Sequence, residues 1–272
     1  MHVPTRNPLQ FVGVALLALI SGVHGHSWID SLSVVSGANS APFKNTTTIQ
    51  QGPPGAGQQG TGLGYIRAYQ GHIDATAVYL ITAPKLDSNI CRSSQQQNPT
   101  ANTAQFPRLS ASPGDSIQGT YLKNGHISKP DAPDGTPGTI YWFGTANAKP
   151  DDTLANVKQW TVDGKGGDGR GKLLANPSNF DDGTCVEPNV TPIANQRTAA
   201  GCGGPCKSAF KLPQDAKVGS TFTVYWVWDY SNHFGPTKKG HVEWYTSCTD
   251  IQVVAPKRKR FLNGSAKFRG RL

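Results

Sequence analysis

Histidine is scarce enough in this chain to be taken residue by residue. Seven occur in 272 residues, and His26 stands apart by its place, in Ser21-Gly-Val-His-Gly-His-Ser-Trp28 at the end of an apolar stretch. Residues 1–25 have the form of a secretory leader, with Arg6 in a positive n-region, an apolar run from Phe11 to Val23, and small residues closing it. Cleavage between Gly25 and His26 leaves small Gly25 at the cut, whereas cleavage before His24 would put the bulkier Val23 there. Cleavage anywhere else makes His26 an ordinary internal residue. A histidine at the N-terminus offers two nitrogens to one metal ion, its α-amine and its ring Nδ1. One more imidazole gives a T-shaped three-nitrogen set, which suits copper(II) because that ion favours nitrogen donors in a tetragonal plane. His126 is the candidate for that role. It follows the strand-like Ser116–Leu122 and the break at Asn124-Gly125, which places it at a strand end. His72 and His241 read as surface or capping residues.

The elements that must hold these residues are strands. Gly (31) and Pro (20) are plentiful and only 16% of residues are charged, a composition that favours many strands joined by long loops. His26–Val35 alternates apolar and polar residues, as a first strand does. Residues 36–64 read as a long loop, Tyr65–Tyr69 as a short strand or extended segment, and Thr76–Ile81 as a strand or helical turn. Phe106–Leu122 reads as strand, turn, strand around Pro113-Gly-Asp115, and Thr139–Phe143 as a compact apolar strand. The strongest strand is Thr221–Trp228, and His241–Tyr245 with Cys248–Val254 reads as a final strand pair. Residues 145–215 are the least regular, and Gly164–Gly169 lacks the Gly-Lys-Ser/Thr ending of a phosphate loop. No stretch predicts a helix of four turns. The expected fold is all-β, an immunoglobulin/fibronectin III-like β-sandwich with long loops, in one domain over 26–255.

The net charge of +9 is unevenly spread. Seven basic residues lie in the tail 256–272 and Arg6 lies in the leader, so the body holds 18 basic against 17 acidic residues. A near-neutral body suits an uncharged partner such as a glycan and gives no reason to expect nucleic acid. The basic tail is expected to be disordered. No stretch after the leader is long and apolar enough to span a membrane. Five cysteines (Cys91, Cys185, Cys202, Cys206, Cys248) in a secreted chain imply disulfides with one thiol left over, expected among Cys185, Cys202 and Cys206. Sequons at Asn45, Asn189 and Asn263 fit an extracellular glycoprotein.

Several short motifs, in order, resemble the fungal lytic polysaccharide monooxygenases, the cellulose-active family above all. They are Pro113-Gly-Asp115, the strand ending at His126, Gly138-Thr-Ile-Tyr-Trp-Phe143, and Glu243-Trp-Tyr245 followed by Cys248. Asn89-Ile-Cys91 sits where that family has a cysteine bonded to the one near the end. The resemblance covers most of 26–255. It implies a histidine brace in which His26 and His126 hold one copper ion, with Tyr245 as the axial oxygen. Glu243 would stand where the family has an outer glutamine, and Cys91–Cys248 would be a disulfide. It also implies a secreted monomer that takes electrons from an external donor and cleaves polysaccharide by C1 and/or C4 oxidation. Trp28, Tyr65 and Tyr230 are the aromatics expected to meet the polymer. The chain departs from the family in its long interval from His126 to Tyr245 and in the carboxylate at Glu243, which marks it as a divergent relative.

Two other classes compete. One is a non-catalytic copper-binding or cell-wall protein on the same fold; the other is a metal-free glycan-binding module. Both copper readings rest on one peptide bond, whereas the metal-free module makes the histidine accidental. Intact-mass and N-terminal analysis of the secreted protein is expected to find His26 first; any other first residue removes the brace.

Overall fold

The computed structural model describes residues 26–35, 62–96, 102–123, 137–186, 192–202, 204–231 and 242–256. The expected leader and most of the basic tail lie outside these residues, as do His126, His233 and His241.

Two sheets face each other, as the sequence predicts. The smaller has four strands in the order β2 (Leu63–Gly64), β1 (Ile29–Val35), β5 (Ser116–Tyr121), β9 (Cys206–Lys211), all antiparallel. The larger runs β3 (Leu80–Thr82), β11 (Glu243–Val253), β10 (Thr221–Asp229), β6 (Thr139–Thr145), β7 (Lys172–Leu173). In addition β4 (Leu109–Ala111) pairs parallel with β11, and β8 (Ser178–Asn179) pairs with β6.

β10 is buried on both faces, which explains its nearly unbroken apolar sequence. Phe222, Val224, Trp226 and Trp228 point into the core between the sheets, where they meet Ile29 and Leu32 of β1, Ile117 and Tyr121 of β5, and Phe210 of β9. Tyr225 and Val227 point the other way. They join Trp244 and Cys248 under a cover made by Ile90, Cys91, Trp160, and Leu154 and Val157 of the short helix α2 (Leu154–Val157). The irregular stretch after residue 145 therefore acts as a third layer. Thr153 caps α2 by accepting from the Asn156 amide at 3.3 Å.

The final strand pair expected from the sequence is one continuous strand. Thr246 and Ser247 interrupt the apolar pattern, yet both are buried and hydrogen-bonded, so the ladder runs through them. Thr246 Oγ1 donates to the Ile90 carbonyl (2.5 Å), and the Ile29 amide donates to Ser247 Oγ (3.2 Å). Tyr65–Tyr69 contributes a single bridge, Ile66 to Thr249, instead of a strand. Thr76–Ile81 divides between a helical turn, α1 (Asp74–Ala77), and the start of β3. Among the described residues the longest helix is α2's successor α3 (Pro192–Ala199), of eight residues.

Two disulfides form. Cys91–Cys248 ties the outer layer to β11 across 157 residues of sequence, as the resemblance implied. Cys185–Cys206 ties the segment before α3 to β9, which leaves Cys202 as the free thiol. The first is buttressed by Gln95, whose Oε1 accepts the Cys248 amide (3.0 Å), and by the buried Arg67–Asp250 pair. Closing so long a loop stabilises the fold by about 5 kcal/mol in the chain-entropy picture. Cys91→Ala/Cys248→Ala is expected to lower the denaturant midpoint by a large part of that amount, while Cys202→Ser changes stability by less than about 0.5 kcal/mol.

Candidate functional site

Of the sequence-derived candidates, the described His26, Glu243 and Tyr245 lie toward one end of the sandwich, and the strand registers show why. Ile29 at the start of β1 pairs with Tyr121 at the end of β5. Trp228 at the end of β10 pairs with Tyr245 near the start of β11, and Asp229 pairs with Thr139 at the start of β6. His26 precedes β1 at this end. Ser27 Oγ, donating to the Leu122 carbonyl (2.8 Å), holds the approach to β1 against the chain leaving β5. His126, the second expected ligand, lies four residues beyond Leu122 and outside the described residues.

His26 keeps 27% of its side chain exposed, and its Nε2 lies 2.5 Å from Asp74 Oδ2. Its ring is parallel to that of Trp28 within 10°, with centroids 6.0 Å apart. Trp28 also packs against His72, 4.5 Å between centroids. His72 Nδ1 donates to Asp30 Oδ1 (2.7 Å), which also accepts from the Tyr69 hydroxyl (3.1 Å). Two histidine–carboxylate pairs thus flank one buried tryptophan. Burial alone would pull the His72 pKa down, but the hydrogen bond and charge of Asp30, with the charge of Asp74, outweigh it and hold the imidazole above its ordinary 6.5. Gly71, at φ +104°, makes the turn that brings this segment round.

Glu243 and Tyr245, two residues apart on β11, share the inward face, and the structure brings them together as a pair. The Tyr245 hydroxyl donates to Glu243 Oε1, and both side chains are buried. Burial, then the hydrogen bond and charge of Glu243, push the Tyr245 pKa far up, so the phenol keeps its proton at any physiological pH. Trp228 walls the phenol at 5.2 Å between ring centroids. The Tyr230 amide donates to the Glu243 carbonyl (2.9 Å), tying the end of β10 to the pair. Trp228 itself is seated by Nε1 donating to the Pro137 carbonyl (3.0 Å), and Gly138 is needed beside it because a Cβ there would lie 2.4 Å from that nitrogen.

The expected platform of aromatics does not exist in that form. Trp28, Tyr65 and Tyr230 are 1%, 1% and 5% exposed. Each faces the core, because the strand ends carrying them are where the two sheets close. Asp74 and Asp30 were not legible as partners. Each is a lone acid far in sequence from its histidine, with no local pattern to mark it. A group formed by Asp181, Asp182 and Cys185 has metal-like spacing, but Cys185 is in a disulfide and Asp181 is taken up by Lys123 and Arg197. It is a structural clamp.

A family profile described as Domain of unknown function (DUF7492) matches residues 23–269. The chain belongs to that family. No curated protein matches it by sequence. Among solved structures it is similar to a cellulose-active polysaccharide monooxygenase from M. thermophila, at 17% identity over 86% of this chain and 80% of that one, with a TM-score of 0.34. It is similar also to the extended catalytic domain of LPMO9A from H. jecorina, at 12% identity over 86% and 76% of the two chains, with a TM-score of 0.35. A Bacillus amyloliquefaciens CBM33 in complex with Cu(I) is 13% identical over 63% of this chain and 75% of that one, with a TM-score of 0.29. Likeness of this order bears on neither site nor activity. Among the described residues no helix is long and apolar enough to cross a membrane.

The raised His72 pKa has a consequence for stability. A histidine held above its unfolded value stabilises the fold fully below pH 6.5, and that contribution is lost as pH rises through the folded-state value. Thermal melts from pH 5.5 upward are expected to show a decline through this window that is absent in His72→Gln.

Proposed function

We propose that this chain is a secreted copper protein in which His26 and His126 form a histidine brace, and that it acts as a lytic polysaccharide monooxygenase. The observation that carries the reading is the commitment of His26 Nε2 to Asp74. The brace uses the α-amine and Nδ1, and the nitrogen engaged by the carboxylate is the other one. The donor set therefore suits a cupric ion: an imidazole whose chelating nitrogen is on the amine side, at the same sandwich end as a buried phenol. Two disulfides fit the oxidising compartment that secretion requires.

In this reading His26 and His126 would hold the ion, and Tyr245 would be the phenol nearest to it. Bound copper would supply one-electron redox chemistry toward O₂ or H₂O₂, with electrons from an external donor. The protein's own contribution is geometric and protic. Tyr245 presents a phenol that stays neutral, and Glu243 accepts its hydrogen bond, so a proton is held between two buried oxygens. The exposed edge of His26 lets an insoluble polymer approach the site without entering a pocket. The substrate is a neutral cell-wall glycan such as cellulose, oxidised at C1 and/or C4, in keeping with the near-neutral body.

Carboxylates beside the site favour a second reading, in which the chain binds copper to carry it. Glu243 and Asp74 both place anionic oxygen at this end of the sandwich. Protein starting at His26 is expected to bind one Cu(II), with affinity lowered at least about 100-fold in His26→Ala and in His126→Ala. Retained affinity in both variants would sink the brace. Oxidised oligosaccharides from cellulose, xylan, chitin or β-glucan, formed only with copper and a reductant, are the expected product. Their absence across the panel decides for the carrier.

A further inference from the structure

The His26–Asp74 pair ends a longer chain of contacts, and that chain runs back to the disulfide. Asp74 opens α1, a helical turn of four residues. So short an element does not hold itself in place, since a single turn lies below the cost of nucleation. Its anchor is Arg92. The Arg92 guanidinium donates from Nη2 to the Ala75 carbonyl (2.5 Å) and from Nη1 to the Val78 carbonyl (3.0 Å), clasping the turn from its C-terminal side. Arg92 in turn follows Cys91, which is bonded to Cys248 on β11. Rigid sheet, disulfide, guanidinium, helical turn and carboxylate thus connect in series to His26.

We infer that Asp74 is the positioning residue of His26, setting its tautomer and ring orientation, and that Arg92 holds Asp74 to that task. A carboxylate on Nε2 requires the proton to sit on Nε2, which leaves the lone pair on Nδ1. Trp28, parallel to the imidazole, fixes the plane in which the ring lies. Without the Asp74 contact on Nε2 the ring could take the other tautomer or turn about its side-chain bonds. The carboxylate also makes the imidazole a stronger donor, as it does wherever a carboxylate backs a metal-bound histidine. The part of this inference that concerns copper rests on the brace reading; the part that concerns His26 does not.

The test uses the full secreted protein starting at His26, labelled with ¹⁵N-histidine. In metal-free wild type above the histidine titration range, a downfield His26 Nε2–H proton resonance protected from exchange is expected. It is lost in Asp74→Asn, which removes the charge at almost constant shape. With Cu(II) alone as the probe, Asp74→Asn is expected to bind about 10-fold more weakly. The potential of the bound ion is expected to rise, because a less electron-rich imidazole favours the cupric state less. Arg92→Gln should move all three quantities the same way and add nothing on top of Asp74→Asn. An unchanged His26 resonance in Asp74→Asn overturns the inference, as does wild-type copper binding that Asp74→Asn leaves unaltered in both affinity and potential. Additive effects of the two substitutions remove Arg92 from the series. If wild type binds no copper, the brace reading fails, and the resonance still decides whether Asp74 holds His26.

Discussion

The antiparallel pairing of β10 with β11, continuous from Thr221–Gln252 to Asp229–Trp244, is the constraint on which everything else hangs. Both strands are buried on both faces, so a slip of one residue would exchange the contents of two apolar layers. That register places Tyr245 against Trp228 and sets Glu243 on the same inward face at the start of β11. It also sets Cys248 toward the outer layer, where Cys91 waits, and Ser247 toward β1, whose Ile29 amide it accepts. The candidate site is therefore a by-product of core packing: its residues occupy the last rungs of the ladders that make the protein stable.

Buried carboxylates divide by partner. Asp250 meets Arg67 in a two-bond contact at 2.8 and 2.7 Å, Asp152 meets Arg170, and Asp181 meets Lys123 and Arg197. These pairs join layers, and each would be costly to break by removing one member, because a buried charge would be left behind. Glu243 instead meets the phenol of Tyr245, a partner that shares a proton. The same residue type thus serves two ends in one domain. Asp250 anchors from within β11 and Asp152 and Asp181 from loops, whereas the proton-sharing acid is the first residue of β11.

Much of the architecture was legible because it is written in local pattern. The alternation of β1, the Pro113-Gly-Asp115 turn between β4 and β5, and the apolar density of β6 and β10 each identify an element without reference to any other. The turn shows the reason: Asp115 accepts the Ser112 amide at 2.7 Å and Gly114 takes φ +83°, chemistry contained in four residues. The break expected near Thr246-Ser-Cys248 failed for the opposite reason. Whether a polar residue ends a strand depends on whether distant groups satisfy it, and here Ile90 and Ile29 do.

What the sequence alone determined was the material of the candidate site and its order along the chain: a histidine at the end of an apolar stretch, a strand-borne tyrosine and acid two residues apart, and cysteines with one to spare. Period-two geometry alone puts Glu243 and Tyr245 on one face. The tertiary structure decided the partners. It gave His26 to Asp74 and His72 to Asp30, buried the aromatics that the resemblance had offered as a surface platform, and left Cys202 as the unpaired thiol. Those outcomes depend on where two sheets close and which loops meet there. Contacts across tens to hundreds of residues leave no mark on the local pattern of either partner.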